Sequence, residues 1–443
     1  MLVKIGLLMI FFITFLFSSF STAQSLWLRD FNLIDGTGAP VIKIDQMSIV
    51  DGVITEIALK SSEMPTVNGR EHQVIELNGA YVMPGLIDTH VHVAHYPDTM
   101  KMAKHILTQA IHGGVTSVRD MGGDARVLAE INREIQSGSF IGPTLVYSAT
   151  MAGPQLFESP LVSSFSVGYN VGAAPWTQLI TKNQRIDLAV ARAKGSGIHG
   201  LKLYADLDFP LLKKIVNEAN DQGLLTWAHS TVFPASPEEL VNAGVNSLSH
   251  APYLVWQAQD EVSANYADRI SGAWDETPAN HPKIINLFKK MKENRVSLDP
   301  TLYIFKNMAN FSPKLKADWT KKAYAWSKLV TKVAHQQGVL ITTGTDWFAP
   351  SDNEILPHTH DELSLLVKEI GLSPMEAIIA GTKNGAEALG LLGERGTLEI
   401  NKAADLLILN ENPLDNINNT RDIRLIVKNG LLIEPQAEKQ ITD

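Results

Sequence analysis

The chain has 443 residues, a formal net charge of −9 at pH 7 and no cysteine. The lack of cysteine excludes disulfides and a thiolate metal site, so only histidine, carboxylate and lysine side chains remain as metal ligands. The negative charge argues against nucleic acid or an anionic membrane as a partner, and the length suits an α/β barrel with a smaller attached unit.

The first 23 residues are predicted to form a signal peptide. Lys4 precedes an apolar stretch over residues 5–17, and small residues end the segment at Ala23. This order is typical of a secretory signal peptide cut after Ala23, and the apolar stretch is short for a membrane span. An uncleaved N-terminal anchor is the alternative. We expect a periplasmic or secreted protein that begins at Gln24 and has no stable membrane insertion.

Both ends of the remaining chain have the pattern of short strands. In residues 24–82 this pattern occurs at 25–28, 46–50, 53–57 and 73–77. In residues 393–443 it occurs at 405–409, 424–427 and 431–433, with a hairpin turn at Lys428-Asn429-Gly430. We predict that the two ends together build one small β-sandwich.

Residues 83–392 alternate strand patterns with helix patterns. The eight strand patterns lie at 85–92, 116–121, 144–149, 200–205, 224–229, 247–252, 296–302 and 340–346. Helix patterns between them include 124–136, 210–222, 282–294 and 317–337. Eight alternating strands predict a (β/α)8 TIM-like barrel, whose chemistry lies at the C-terminal strand ends. A doubly wound open sheet is the alternative, but no glycine-rich phosphate loop follows the first strand.

A His-x-His pair ends the first barrel strand. Side chains alternate along a strand, so His90 and His92 point the same way and could bind one metal ion together. A second pair, His358 and His360, lies among prolines and polar residues that predict a loop, where nothing fixes the geometry of the two rings. We therefore place the metal site at the first pair.

Further candidate ligands end other barrel strands. His229 ends strand five, His250 lies in strand six, and Asp346 ends strand eight. Either histidine alone is better explained as a hydrogen-bonded core residue. Together with the pair on strand one, these residues at a single edge of the barrel predict a metal centre and an enzyme.

Lys202 on strand four needs a separate explanation. Leu201 and Leu203 flank it, so its side chain points into the barrel, where burial favours the neutral amine. A neutral amine can take up CO2 and become a carbamate, whose two oxygens can bridge two metal ions. The alternative is a buried lysine paired with Asp120 or Asp346.

These residues resemble the amidohydrolase superfamily. Four segments are similar to its imidazolonepropionase-like and prolidase-like metal-dependent branch: residues 81–90, 114–123, 377–391 and 396–406. The resemblance implies the following ligands: His90, His92 and Asp346 on one metal, His229 and His250 on the other, and carbamylated Lys202 with a hydroxide between them. Residues 151–157 depart from the GGHG-like loop of related dipeptide hydrolases, which leaves the substrate open.

The resemblance also implies a mechanism. We expect two divalent ions, with zinc favoured and manganese or cobalt fitting the same ligands. Asp346 would accept a proton from the attacking water and pass it to the leaving nitrogen. Tyr204 would hydrogen-bond the substrate; the alternative is an ordinary aromatic residue at the barrel mouth. Arg119 and Asp120 would support the site, and anchoring of a substrate carboxylate is a second role considered for Arg119.

The predicted function is hydrolysis of an amide bond in a small molecule, a dipeptide or an N-acyl amino acid. The alternatives are a lactone, carbamate or phosphate-ester hydrolase with the same site, and a metal-binding or ligand-binding protein without turnover. A homo-oligomer is compatible with the sequence.

Overall fold

The computed structural model describes residues 25–60, 72–95, 99–159, 162, 166–311, 318–346 and 357–435. The predicted signal peptide, residues 1–23, lies outside these ranges. Within them, no helix combines the length and the apolar character needed to cross a membrane.

The strands fall into an end sheet and a barrel. In chain order they are β1 (Ser25–Leu33), β2 (Ile42–Val50), β3 (Val53–Ala58), β4 (His72–Pro84), β5 (Leu86–Val91), β6 (Val115–Asp120), β7 (Thr144–Ala152), β8 (Ala173–Ala174), β9 (Thr177–Leu179), β10 (Gly200–Leu203), β11 (Leu225–His229), β12 (Ser247–Ser249), β13 (Ser297–Asp299), β14 (Leu406–Leu409), β15 (Ile423–Lys428) and β16 (Leu431–Ile433).

The helices cover the outside of the barrel. They are α1 (Thr99–His112), α2 (Ala125–Ser137), α3 (Ile186–Lys194), α4 (Phe209–Asp221), α5 (Pro237–Ala243), α6 (Pro282–Glu293), α7 (Leu302–Phe311), α8 (Asp318–Gln336), α9 (Thr359–Leu365), α10 (Pro374–Ile379) and α11 (Gly385–Ala388). Local chemistry sets their ends. In α2, the Asp124 side chain accepts from the Arg126 N–H, and Gly138 ends the helix at φ 74°, a backbone conformation that favours glycine.

Seven parallel strands form the barrel wall in the order β5, β6, β7, β10, β11, β12 and β13. The eighth predicted strand closes it: Ile341 bridges Leu298 of β13, and on the other side Thr89 N–H donates to the Thr343 carbonyl at 2.8 Å. The predicted barrel is confirmed. Strand eight is short because Asp346 takes a left-handed conformation, with φ 53°, that ends extended pairing.

The two chain ends meet in one seven-stranded sheet, in the order β16, β15, β14, β4, β1, β2, β3. β4 joins the two halves, because it pairs parallel with β1 and antiparallel with β14. Apolar side chains such as Phe31, Met47, Val82 and Leu406 give this sheet its own core. The two ends were predicted to build one small β-sandwich; the prediction that they join is confirmed, and their strands pair in a single sheet. Gly85 alone separates β4 from β5, so the sheet continues directly into the barrel.

Candidate metal centre

The structure brings the predicted ligands together at the C-terminal edge of the barrel. The ring centroids lie 5.4 Å apart for His90 and His92, 4.9 Å for His90 and His250, and 4.6 Å for His229 and His250. Ligand atoms of His90, His92 and Asp346 all lie within 4.8 Å of one another, which suits one metal ion. All of these side chains are buried.

In three of the histidines, a hydrogen-bond partner on Nδ1 fixes the orientation of the ring. The Nδ1 of His90 is 2.7 Å from Asp299 Oδ2, and that of His92 is 3.1 Å from the Gly122 carbonyl. The Nε2 atoms of both rings then face Asp346 Oδ1, at 3.4 and 3.3 Å. His250 pairs its Nδ1 with Thr301 Oγ1 at 3.0 Å, which leaves Nε2 available. Metal-binding histidines usually have such a partner on the second nitrogen, because it fixes the ring and the tautomer.

Three polar atoms of the cluster are buried and make no hydrogen bond to any residue that the structure describes: Lys202 Nζ, His229 Nδ1 and Asp346 Oδ1. Buried polar atoms without a partner are rare, because desolvation is costly. These atoms can bind a metal ion, which explains why they have no protein partner, and the set fits a metal centre. The alternative pairing of Lys202 with Asp120 or Asp346 is wrong, because within the described residues its Nζ makes no hydrogen bond to either carboxylate.

Burial sets the protonation states of the cluster. It lowers the pKa of His90, His229 and His250 well below the usual value, with the Lys202 charge as the next cause. Neutral imidazole is the form that binds metal. Burial also lowers the pKa of Lys202 and raises that of Asp346. A lysine with a lowered pKa supplies the neutral amine that carbamate formation needs.

Asp299 is a functional residue that the sequence analysis missed. It ends β13, is fully buried and holds His90, while Arg119 Nη2 lies 3.9 Å from its Oδ2. The available signal was its place at the end of a barrel strand, the same signal that indicated His229 and Asp346.

Asp88 was also missed. One of its oxygens accepts from the backbone N–H of His90 at 3.0 Å and of Thr345 at 3.2 Å, so it joins the backbones of two ligand-bearing segments. Nothing in its sequence position distinguished it from other acidic residues in strands.

Arg119 and Asp120 support the site as expected. Arg119 Nε donates to the Thr89 carbonyl at 2.6 Å, and its side chain is inaccessible to solvent. Its second considered role, anchoring a substrate carboxylate, is therefore wrong. Asp120 accepts from the backbone N–H groups of Val93 and Gly122, at 2.7 and 3.0 Å, and fixes the segments that follow β5 and β6.

The second His-x-His pair is structural. The predicted loop is wrong at this point, because Thr359 and His360 begin α9. His360 uses both ring nitrogens, one with Thr420 Oγ1 at 2.9 Å and one with the Gly113 carbonyl at 2.8 Å. Its ring therefore has no free nitrogen for a metal ion.

A cavity of about 270 Å³ opens onto the cluster. Its lining includes the apolar side chains of Met121, Leu156 and Val162 as well as Tyr204, Tyr266 and Arg269, and the two tyrosine rings pack against Leu156 and Val162. The Tyr204 ring centroid lies 4.1 Å from that of His229.

The segment after β7, the third strand of the barrel, shapes the cavity. Gln155 donates to Asp206 Oδ1 at 3.1 Å and to the Ala264 carbonyl at 2.9 Å, and its own side-chain oxygen accepts from the Tyr266 N–H at 2.8 Å. The residues that replace the GGHG-like loop thus hold one wall in place.

Comparison with known proteins agrees with this geometry. Residues 81–433 match the Amidohydrolase family. Ochratoxinase from Aspergillus niger is 27% identical over 434 residues, which cover 87% of this chain and 81% of that protein. The crystal structure of A. niger ochratoxinase superposes with a TM-score of 0.72 at 21% identity, covering 94% of this chain and 98% of the other.

A crystal structure of a Xaa-Pro dipeptidase with bound methionine in the active site also superposes, with a TM-score of 0.72 at 20% identity. It covers 93% of this chain and 100% of that one. At such identities the structural matches show the fold alone, whereas the family match extends over most of the sequence. The chain therefore belongs to the Amidohydrolase family and is a metal-dependent hydrolase that acts on C–N bonds.

Proposed function

We propose that this protein is an exported amidohydrolase with two metal ions that cleaves an amide bond in a dipeptide or an N-acyl amino acid. One observation carries the proposal: oriented histidines surround a buried Lys202 amine and an Asp346 oxygen, neither of which makes a hydrogen bond within the described part of the chain. A carbamate on Lys202 would give the site an anionic bridge. The proposed ligands are His90, His92 and Asp346 for one ion, and His229 and His250 for the other.

Nitrogen and oxygen ligands favour zinc, and manganese or cobalt fits the same set. When bound, the two ions would supply an activated water and polarise the scissile carbonyl group. We assign to Asp346 the removal of a proton from the attacking water and its return to the leaving nitrogen. Its free Oδ1 and its place between His90 and His92 support this assignment.

Tyr204 is proposed to hydrogen-bond the substrate carbonyl oxygen. Its ring lies beside His229 and faces the cavity. Burial, then the Asp346 charge, raises the pKa of the phenol, so the hydroxyl stays protonated and can donate. A donor aimed at the oxygen that gains charge stabilises the transition state more than the bound substrate.

The size and lining of the cavity support a small substrate with two unlike ends. About 270 Å³ lies just below the usual range for drug-sized ligands. The apolar side chains of Met121, Leu156 and Val162 suit an acyl group or an apolar side chain of the substrate. The tyrosines and Arg269 of the same lining suit a polar group at the other end of the substrate.

A substrate panel tests the proposal. Purified protein is incubated with bicarbonate and zinc, manganese or cobalt, then assayed on N-acetyl and N-benzoyl amino acids, dipeptides, lactones, carbamates and phosphate esters. We expect amide cleavage that a chelator abolishes. Faster turnover of the lactones, carbamates or phosphate esters would favour that reaction class, and binding without turnover of any substrate would overturn the proposal.

Export is the remaining part of the proposal. It is supported by the order of residues 1–23, with one cation, an apolar stretch and small residues before Gln24. Intact mass of protein collected outside the cytoplasm should match a chain that begins at Gln24. Full-length protein with Met1 or Leu2 retained in a membrane fraction would contradict it.

A further inference from the structure

Arg269 lines the cavity that opens onto the metal centre. It belongs to a 3-10 helix, Tyr266–Ile270, in the segment after β12. Among the described residues that line the cavity, it is the only lysine or arginine, and the exposed Glu158 is the only carboxylate. A cationic group on the lining attracts an anionic part of the substrate.

The guanidinium is held in place without being neutralised. It lies 4.3 Å from the centroid of the Tyr266 ring, and Nη1 donates to the Tyr266 carbonyl at 3.2 Å. Within the described ranges, no carboxylate lies within ion-pair distance of it. Arginine has five N–H donors, so several remain for a ligand.

Arg269 and the metal centre open onto the same cavity, whose lining includes both Arg269 and His92. The Tyr266 ring beside the guanidinium lies 6.1 Å from the Tyr204 ring, which in turn lies 4.1 Å from the His229 ring, measured between centroids. Two neighbouring tyrosines therefore connect the guanidinium to the histidines. In a dipeptide, the scissile carbonyl and the terminal carboxylate are separated by one residue.

We propose that Arg269 binds the free carboxylate of the residue released from the substrate. This inference rests on the proposed function and specifies its substrate: an amide whose leaving amine carries a carboxylate next to the amide nitrogen. The planar guanidinium matches a carboxylate with two parallel hydrogen bonds, and partial burial strengthens the pair. The acyl side of the substrate then lies against Leu156 and Val162.

The test compares acids with carboxamides. Each N-benzoyl amino acid and dipeptide of the panel is paired with its C-terminal carboxamide, and release of the acyl part is measured. Wild-type protein should prefer the acid about 10- to 100-fold in kcat/KM, as expected for a charge-assisted pair. Arg269→Met should lose this preference by slowing cleavage of the acid only, and Arg269→Lys should retain part of it.

A matched control and a second readout separate binding from folding. Like Arg269, Arg126 lies over an aromatic ring, 4.7 Å from the centroid of Trp176, but it is not part of the cavity lining, so Arg126→Met should keep the preference. In the Asp346→Asn background, calorimetry should show weaker binding of N-benzoylglycine after Arg269→Met and unchanged binding of N-benzoylglycinamide.

The outcomes distinguish the two proposals. Equal cleavage of acids and carboxamides by wild-type protein would overturn the role of Arg269 and leave amide hydrolysis intact. A preference for acids that survives Arg269→Met in folded protein would do the same. Cleavage of no amide at all would overturn the proposed function, and the assignment of Arg269 with it.

Discussion

In the proposed mechanism, Asp346 binds a metal ion and also transfers a proton. Its backbone has φ 53°, and its N–H donates to the His90 carbonyl at 2.9 Å. The left-handed conformation is uncommon outside glycine and is maintained here by the closing hydrogen bonds of the barrel. This backbone conformation places the Asp346 carboxylate between His90 and His92, where the proposed metal binding and proton transfer require it.

We predict that Asp346→Asn lowers kcat about 100- to 10,000-fold with little change in KM, because an amide cannot accept the proton. Steady-state kinetics on the best amide substrate, with metal content measured on the same sample, checks this. A kcat near that of the wild type would place the general base elsewhere.

Lys202 is the bridging residue of the proposed two-metal site. We predict that Lys202→Ala reduces bound metal from about two ions to one or fewer per chain, because the anionic bridge is lost. Short carboxylic acids should partly restore activity by occupying the space. Elemental analysis after reconstitution with bicarbonate gives the stoichiometry.

His360→Ala is the control for that measurement. Both nitrogens of His360 are bonded to protein groups far from the cluster, so the variant should keep its metal and lose only stability. Loss of metal from His360→Ala, with full metal in Lys202→Ala, would mean that the wrong pair had been assigned.

At the scale of elements, the eighth barrel segment, residues 340–346, must lie close to β13 for the site to form. Gly344 permits this: a Cβ atom there would lie 2.1 Å from Asp299 Oδ1. We predict that Gly344→Ala displaces Asp299, deprives His90 of its Nδ1 partner and weakens metal binding about 10- to 100-fold, although no ligand is changed. Competition with a chelator measures the affinity.

Gly393→Ala is the comparison for that variant. A Cβ atom at Gly393 would meet nothing within 4 Å, so the same substitution should leave metal affinity unchanged. If Gly344→Ala bound metal as tightly as the wild type, Asp299 could not be the residue that orients His90.

The elements show what the sequence could and could not predict. The helix predicted at 282–294 is observed as Pro282–Glu293, because apolar spacing and a proline at its start are local signals. The ligands were predicted because strand ends share one edge of a barrel. Asp299 also ends a barrel strand and was overlooked although it carried the same signal. Arg269 was not predicted, because its role depends on which loops meet around the cavity, and the spacing of residues does not encode that.

At the scale of the whole molecule, the end sheet is fastened to the barrel by a buried ion cluster. Asp405, just before β14, lies 2.7 Å from Lys428 Nζ and 2.5 Å from Arg395 Nη1. Both cations also donate to the Oγ1 of Thr144, the first residue of barrel strand β7, at 2.7 and 2.8 Å. The sheet therefore stabilises the base of the barrel, away from the metal centre.

We predict that Asp405→Asn lowers the free energy of unfolding by about 3–5 kcal/mol at pH 7, because it leaves the buried Lys428 amine without its counterion and Arg395 with the exposed Glu394, 3.9 Å away, in place of a buried partner. Metal content of the remaining folded protein should not change. Denaturant unfolding measures the loss, and the exposed Asp221→Asn, expected to stay within about 0.5 kcal/mol of the wild type, is the control.

The pH dependence of this loss identifies its cause. Burial alone would raise the pKa of Asp405, but the charges of Lys428 and Arg395 outweigh it and hold the pKa below the ordinary value of 3.8. A carboxylate with a lowered folded pKa contributes its full stability above the ordinary value and loses it as the pH falls through the folded value. The difference between wild type and Asp405→Asn should therefore shrink below about pH 4. Burial lowers the pKa of Lys428 to about 8, so the difference should also shrink as the pH rises through that value and the amine loses its charge. A difference that stays the same down to pH 2 would mean that Asp405 acts through packing and hydrogen bonds rather than through its charge.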